Sequence, residues 1–188
     1  MIEDARDRIL AACTAVIARN GLARFRMSDV AREAGVSIGL LPYHFGDRDG
    51  LLQAALDEVT AGAARRATPV SGAPAPAAQL EAFLCAEFGD APGIRAGSTA
   101  WNELRAAAVF DPERARQVSA STADWQRQVR ELVAATDPTL APEAIDANAL
   151  LLTALVEGLS GRWLTGQLSA TEAQAAVRQA LRGTGLLG

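Results

Sequence analysis

The fold is decided by residues 27–45, which read MSDVAREAGVSIGLLPYHF. Val30 and Ala34 place apolar side chains at helical spacing and predict a first short helix. Gly35 then allows the chain to turn, because glycine takes a positive φ without steric cost. Ser37 can accept a backbone N–H and is expected to cap a second helix. The pattern fits a helix-turn-helix, whose second helix enters the DNA major groove, and it also fits an ordinary helical hairpin.

The residues after the turn favour DNA binding. Tyr43-His44-Phe45 leads directly into GDRDGLL at 46–52. Together with the turn, this long motif resembles the signature of the TetR family of transcriptional regulators, in the form carried by the BetI-like branch. The resemblance covers about residues 6–60. It implies an all-α protein of about nine helices, in which a three-helix DNA-binding domain precedes a helical domain for ligand binding and dimerisation.

Composition agrees with a helical protein. Ala and Leu dominate the 188 residues, and aromatic residues make up 5%. No run of 18 or so apolar residues occurs and the N-terminus has no apolar signal core, so we expect no membrane span and no secretion signal. Cys13 and Cys85 lie far apart in helical patterns and are interpreted as buried thiols of a cytoplasmic protein.

Charge is distributed unevenly along the chain. The net charge is −4, and all the cationic side chains are arginines. Residues 1–66 hold nine Arg and nine Asp or Glu, whereas residues 67–188 hold nine Arg and thirteen Asp or Glu. The N-terminal part is therefore the less acidic one. Arginine suits bidentate contacts with phosphate or guanine, although codon bias also explains an arginine-only composition.

Helix and linker signals divide the chain into two predicted domains. A helix is predicted from Ala5 to Asn20, and another from Gly46 to about Arg66. Residues 1–46 are predicted as the helix-turn-helix DNA-binding domain. Residues 47–188 are predicted as the ligand-binding and dimerisation domain. The latter begins with a connecting helix at 47–66 and a connector rich in Pro, Gly, Ser and Ala at 68–76, and its further helical patterns lie at about 76–89, 93–109, 111–136, 141–166 and 169–183.

Base-edge contacts must come from the exposed face of the second helix. That face is mostly apolar, so we expect contacts with thymine methyl groups and shape readout. The resemblance further implies that Tyr43, His44 and Arg48 contact phosphates. His44 is the only histidine, which excludes a His-rich metal site, and it can instead pack or cap at a helix end. The DNA-contacting candidates are Arg26, Ser28, Ser37, Ile38, Gly39, Leu40, Tyr43, His44 and Arg48.

Two residues depart from the family pattern. Arg26 stands where the family often has a capping Thr, so Ser28 is expected to cap instead and to start the helix later. Pro42 stands where the family commonly has Tyr, and it lacks the N–H that would bond the Ile38 carbonyl. A mid-helix proline costs about 3 kcal/mol. The second helix is therefore expected to be distorted there or to end near Leu41.

The last two helices have wide apolar faces. The resemblance implies a homodimer in which these helices form a four-helix bundle, and a homodimer gives DNA binding its two-fold symmetry. The alternative is that the apolar faces belong to the core of a monomer. The candidate interface residues are Leu151, Leu155, Gly158, Leu159, Val177 and Leu181.

The resemblance also implies an effector pocket between the connector and the dimerisation helices. The stretch Trp101-Asn102-Glu103-Leu104 resembles the pocket helix of the BetI-like branch. Aromatic rings with one carboxylate could form a cage for a cationic ligand, although each ring fits equally well as a core residue. The candidates are Phe83, Phe88, Trp101, Asn102, Glu103, Arg105, Phe110, Trp125 and Trp163.

These observations predict a cytoplasmic, homodimeric repressor that binds a palindromic operator in double-stranded DNA and is released by a small-molecule effector. The alternatives are a helical adaptor that binds protein and a regulator that activates. An enzyme is disfavoured, because the chain shows no Ser/His/Asp spacing, no Gly-rich phosphate loop and no metal cluster. We expect no cofactor, no metal and no membrane partner.

Overall fold

The computed structural model describes residues 4–67 and 75–187, and within those ranges it contains nine α-helices, one short 3-10 helix and no β-strand. The predicted all-α class is confirmed. The 3-10 helix, at Leu22–Arg24, was not predicted. The α-helices are α1 (Ala5–Asn20), α2 (Met27–Ala34), α3 (Leu40–Phe45), α4 (Arg48–Ala67), α5 (Pro76–Cys85), α6 (Pro92–Ala108), α7 (Pro112–Thr136), α8 (Pro142–Leu164) and α9 (Ala170–Gly183).

The helices group into two compact units. The first contains Met1–Ala61 and Ala91–Ser119, and the second contains Gly62–Asp90 and Ala120–Gly188. Sequence reasoning divided the chain at residue 46 and placed a connector at 68–76, of which residues 68–74 lie outside the described residues. In the structure α6 and the start of α7 belong with the N-terminal helices. Ala100 and Leu104 of α6 are buried in the same core as α1.

The core of the first unit is built around the apolar stripe of α1. Ile9, Cys13, Val16 and Ile17 are fully buried, and α1 packs against both α2 and α6. Burial raises the pKa of Cys13 to about 12. Burial also raises the pKa of Cys85 in the second unit, so both thiols stay protonated and unreactive at neutral pH. The prediction that both cysteines are buried free thiols is confirmed.

The turn between α2 and α3 has the predicted glycine but a different second helix. Gly35 adopts a left-handed conformation with φ 65°, and the Val36 N–H donates to the Ala31 carbonyl at 3.0 Å. The Ser37 side chain makes no capping hydrogen bond, and α3 begins three residues later, at Leu40. The Leu40 N–H donates to the Ser37 carbonyl at 3.0 Å in a tight turn that precedes the helix. The expected Ser37 cap is therefore wrong.

The late start of α3 removes the predicted cost of Pro42. Pro42 is the third residue of the helix, where a backbone N–H has no intrahelical partner in any case. The Ile38 carbonyl, which was expected to lose its partner, accepts the Leu41 N–H at 3.3 Å. The helix continues to Phe45, and the expected distortion or end near Leu41 is wrong.

The start of α2 also differs from expectation. The helix begins at Met27, directly after Arg26, so Ser28 does not delay it. Arg26 is the N-cap residue and its side chain makes no capping hydrogen bond. Phe25, which is buried, fixes the chain just before this helix. The start of α2 therefore depends on the packing of Phe25 and not on the side-chain cap that was predicted for Ser28.

In the second unit α9 packs against both α5 and α8. Ser169 and Glu172 form the capping box that starts α9. Arg178 on α9 donates to Glu81 on α5, with 2.6 Å between Nε and Oε1. The buried residues Leu80, Leu84, Phe88, Leu152, Ala173, Val177 and Leu181 belong to the core of this unit.

Helix α8 has the length and composition that a membrane span requires. Its 23 residues contain an 18-residue window with a mean hydropathy of 1.2, of which 33% is buried. The sequence analysis expected no span because no uninterrupted apolar run was present. A core helix of a soluble protein meets the same criterion, so the composition of α8 alone does not assign it to a membrane.

Candidate functional site

The outward surface of the helix-turn-helix is formed by the turn before α3 and by α3 itself. Ser37 and Gly39 are exposed, Ile38 is 57% exposed and Tyr43 is 81% exposed. Leu40 is half-buried and packs against the core of the first unit. Large apolar side chains with this exposure next to a polar hydroxyl suit the edges of base pairs, where thymine methyl groups and hydrogen-bonding atoms alternate.

His44 lies between two aromatic rings. Its ring is 5.1 Å from that of Tyr43 in a T-shaped arrangement and 6.0 Å from that of Phe45. The side chain is half-buried and contacts both rings, as the packing role considered for it requires. Its imidazole therefore contacts both neighbouring rings at the end of α3, and its contact with phosphate stays a prediction.

Arg48 stands at the first position of α4 and is partly exposed. Its guanidinium carbon lies 5.4 Å from the centre of the Phe25 ring, a distance typical of a cation–π contact. Its Nη1 is 3.6 Å from Asp49, which is too long for a hydrogen bond. The head group is thus oriented by Phe25, and its hydrogen-bond donors are not committed to Asp49.

A cleft of about 360 Å³ opens beside the start of α2. It contains two arginines, Arg24 and Arg26, and both are exposed. Sequence reasoning found Arg26 and missed Arg24, because the 3-10 helix that carries Arg24 was not predicted. The sequence signal that could have identified Arg24 is the presence of two arginines separated by one residue. The cleft is lined by Asn20, Ala23, Arg24, Phe25, Arg26 and Asp29.

Four of the predicted effector residues lie in the second unit and are buried. These are Phe83, Phe88, Trp125 and Trp163. The rings of Phe88 and Trp163 contact each other edge to face, with 5.8 Å between their centres. The indole Nε1 of Trp125 is buried and has no acceptor in the described part of the chain. A buried N–H without a partner costs about 1–3 kcal/mol, so this donor favours a ligand that brings an acceptor.

The other five effector candidates belong to the first unit, together with α1, α2 and α3. Trp101 packs against the N-terminal core, and the side-chain amide of Asn102 donates to the Ser98 carbonyl at 2.8 Å. Arg105 is half-buried, and Phe110 is 89% exposed. A ring as exposed as Phe110 does not line a pocket of its own unit.

Glu103 has a structural partner that the sequence did not indicate. Its Oε2 accepts the backbone N–H of Leu22 at 2.7 Å, across 81 residues of sequence. Leu22 is the first residue of the 3-10 helix, so the carboxylate caps that helix from α6. One oxygen of this carboxylate is therefore occupied by the backbone, and its pairing with a cationic ligand stays a prediction.

The predicted dimer residues separate into an exposed and a buried group. Leu151 is exposed, Leu155 is half-buried, and Gly158 is exposed with no described atom within 4 Å of an added Cβ. Leu159, Val177 and Leu181 are buried within their own chain and stand behind this face. Leu150, which belongs to the same predicted apolar face, is exposed beside Leu151.

Family models match both parts of the chain. Residues 9–55 match the model of the bacterial regulatory proteins of the tetR family. Residues 76–185, more than half of the chain, match the model of the C-terminal part of BetI-type transcriptional repressors.

Curated relatives agree with these matches. The HTH-type transcriptional regulator BetI of Burkholderia thailandensis is 30% identical over 177 residues, which cover 90% of this chain and 85% of that protein. The regulator of the same name from Stenotrophomonas maltophilia is 30% identical over 167 residues, which cover 87% of this chain and 81% of that protein.

Solved structures share the fold. A structure described as a TetR-family transcriptional regulator from Rhodococcus sp. is 36% identical, with a TM-score of 0.88 over 96% of this chain and 97% of that one. A transcriptional regulator from Saccharomonospora viridis, solved in complex with choline, is 21% identical, with a TM-score of 0.78 over 95% of both chains. The second likeness supports the fold alone.

Replacing Glu103 with Ala removes the cap of the 3-10 helix and leaves the partly buried Leu22 N–H without its acceptor. We expect a loss of about 1–3 kcal/mol in the free energy of unfolding, measured by urea denaturation. Glu131→Ala, which removes an exposed carboxylate from α7, is the matched control and should change stability by less than about 0.5 kcal/mol. Equal stability of both variants would contradict the capping role.

Proposed function

The chain belongs to the TetR family of bacterial regulatory proteins and is a transcriptional regulator, not an enzyme, and on this premise we propose that it represses transcription as a homodimer on a palindromic operator. A small-molecule effector would release it. The observation that carries the proposal is the exposed helix-turn-helix surface of Ser37, Ile38 and Tyr43, together with the exposed arginines Arg26, directly before α2, and Arg48, at the start of α4.

In this proposal the turn and α3 read the bases. The Ser37 hydroxyl can donate to or accept from a base edge, and Ile38 can contact a thymine methyl group. Gly39 lets the backbone approach the groove closely, whereas the half-buried Leu40 mainly supports the turn. Few bidentate donors are available on this surface, so sequence-dependent shape should contribute strongly to specificity.

Phosphate contacts surround the reading surface. Tyr43 and His44 would donate from the end of α3, and Arg48 from the start of α4. The cleft beside α2 adds a second set, in which the exposed Arg26 is joined by Arg24. Ser28, exposed in the first turn of α2, completes the set of candidates.

We infer that α8 supplies the dimer face. Ala147, Leu151, Ala154 and Gly158 are all exposed and follow one another at helical spacing. Leu150 extends the apolar surface, and the open space beside Gly158 lets a second helix approach closely. Apolar side chains next to small residues form the kind of face that a second helix covers in a bundle. The alternative, a monomeric core face, fits only the residues behind it, Leu159, Val177 and Leu181.

The effector site is proposed around the buried rings of the second unit. Phe88, Trp125 and Trp163 offer aromatic faces to a cation, and Trp125 offers an N–H to an acceptor. A quaternary ammonium compound with a hydroxyl or carbonyl oxygen combines both features, and the Saccharomonospora viridis regulator is described in complex with choline. Trp101, Asn102, Glu103, Arg105 and Phe110 remain candidates from the sequence alone, and one oxygen of Glu103 already accepts the Leu22 N–H.

The mechanism would be a coupling between the two sites. An effector that binds one conformation more tightly shifts the protein towards it, and that conformation no longer fits two successive major grooves. A regulator that activates transcription would use the same surfaces. Since the target is genomic DNA, the protein would act in the cytoplasm.

The first test is fluorescence anisotropy on the intergenic DNA beside the protein's own gene, at several salt concentrations. We expect saturable binding with two chains per site and a steep salt dependence, because phosphate contacts release counterions. Arg26→Ala and Arg48→Ala should each lower the salt slope by about one. Arg127→Ala, which changes an exposed arginine of α7, should leave it unchanged. Weak binding without salt dependence would favour the protein-binding adaptor instead.

The dimer face is tested by Leu151→Arg, which would bury a charge between two helices. We expect the mass measured by light scattering after size-exclusion chromatography to fall from two chains to one. Ala135→Arg, at an exposed position of α7, adds the same charge away from α8 and should leave the dimer intact. A wild-type protein that is already monomeric would contradict the proposed face.

The effector class is tested by calorimetric titration with choline, betaine aldehyde and polyamines. Trp125→Phe keeps an aromatic ring but removes the donor, so we expect the affinity for an oxygen-bearing cation to fall roughly tenfold. Tyr43→Phe removes a donor from the DNA-binding surface and should not change the affinity. The absence of heat from all the cations would refute the cationic class.

A further inference from the structure

Arg114 is a buried arginine in a protein whose other described arginines are mostly exposed or half-buried. It lies in the first turn of α7, and its side chain is only 10% exposed. Arg116, two residues later on the same helix, is by contrast 71% exposed. A charge is seldom buried unless it is paired, so the partners of Arg114 indicate its purpose.

The tightest contact of Arg114 reaches the start of α4. Its Nη2 donates to Oδ1 of Asp49 at 3.1 Å, across 65 residues of sequence. The second carboxylate, that of Asp111, is 3.5 Å away and already caps α7 by accepting the N–H groups of Glu113 and Arg114. The Nη1 of Arg114 has no acceptor among the described residues. Asp49 is therefore the carboxylate closest to this guanidinium, and Asp111 is the second.

Asp49 lies between two arginines. Its Oδ1 is hydrogen-bonded to Arg114, whereas Nη1 of Arg48 approaches the same oxygen only to 3.6 Å. The carboxylate is itself 57% exposed, next to the arginine assigned to phosphate. A negative charge at this place both attracts Arg48 and repels a DNA backbone. Another cationic group must therefore balance the charge of Asp49 if Arg48 is to remain available for a phosphate.

We propose that Arg114 is a positioning residue for DNA binding, which neutralises Asp49 from inside the protein and so leaves Arg48 free to contact a phosphate. This rests on the proposed function. Arg114 is buried in a pocket that is lined by two glutamines, Gln53 and Gln117, and by Leu52, Leu56, Leu104 and Val118, so its own head group is not available at the surface. It acts on Arg48 indirectly, by balancing the charge of Asp49.

The neighbouring carboxylate needs no such partner. Asp47 precedes α4, and its Oδ1 accepts the Gly50 N–H at 2.8 Å. Its charge thus faces the positive end of a helix of 20 residues. Asp49 lies in the first turn of the same helix and also faces its positive end, but it accepts no backbone hydrogen bond in the described residues. Its charge is therefore balanced by Arg114 where that of Asp47 is balanced by the Gly50 N–H.

The test is the salt dependence of operator binding by Arg114→Met, which fills the same space with an apolar chain and leaves Asp49 partly solvated. We expect DNA affinity to fall roughly tenfold and the salt slope to fall by about one, the signature of one lost phosphate contact. Arg116→Met, with the same change in charge on the exposed side of α7, is the control and should bind as the wild type does.

A second substitution separates the charge effect from a structural one. Asp49→Asn combined with Arg114→Met removes the competing carboxylate, so affinity and salt slope should return close to those of the wild type. In an Arg48→Met background, Arg114→Met should have no further effect on the slope. If the Arg114→Met variant unfolds below the assay temperature, Arg114→Gln is used in its place. The expected changes in DNA affinity and salt slope are the same.

The proposal is overturned if Arg114→Met binds as the wild type does, if Asp49→Asn fails to restore its binding, or if the losses at 48 and 114 simply add. A wild-type protein without salt-dependent DNA binding overturns the proposed function and this inference together. Normal wild-type binding with an unchanged Arg114→Met variant overturns the inference alone.

Discussion

The structure of the first unit depends on burying the apolar stripe of α1. Ile9, Cys13, Val16 and Ile17 are fully buried, and one short helix cannot cover a stripe of that width. The helix-turn-helix covers one side, and α6 covers another. At about 25 cal/mol per Å² of apolar surface, this burial is a dominant source of stability for so small a unit. The DNA-binding helices and α6 are therefore stabilised by the same side chains, and neither can shift without exposing part of the stripe.

Polar contacts give that shared core its geometry. Glu103 on α6 caps the 3-10 helix that precedes α2, and Arg114 on α7 holds the start of α4. Both link residues far apart in sequence, and both meet the DNA-binding part close to the arginines proposed to contact phosphate. In a transcriptional regulator of this family, such contacts are suited to transmit a change in α6 or α7 to the DNA-facing surface, because each has a defined donor and acceptor that can be broken.

The sequence predicts the helices well and the contacts between them poorly. The stripe of α1, the Gly35 turn and the motif of residues 35–52 depend on local spacing, so the helix-turn-helix could be recognised. The caps expected at Ser28 and Ser37 were wrong, because Phe25 packing and a tight turn at Ser37–Leu40 determine those helix starts. The partners of Glu103 and Arg114 could not be inferred, since they lie 81 and 65 residues away. The DNA-contacting and effector residues follow from exposure and chemistry and remain predictions.

The position of Pro42 has a consequence for the thermodynamics of recognition. A proline in the first turn of α3 fixes φ near −65° and interrupts no helical hydrogen bond. The unfolded chain loses freedom at this residue, so the six-residue helix is more stable than its length suggests. In the proposed complex with DNA, a helix restricted in this way would lose little conformational entropy when it enters the groove. The protein should therefore discriminate against operators of the wrong shape, because α3 has little capacity to adapt to them.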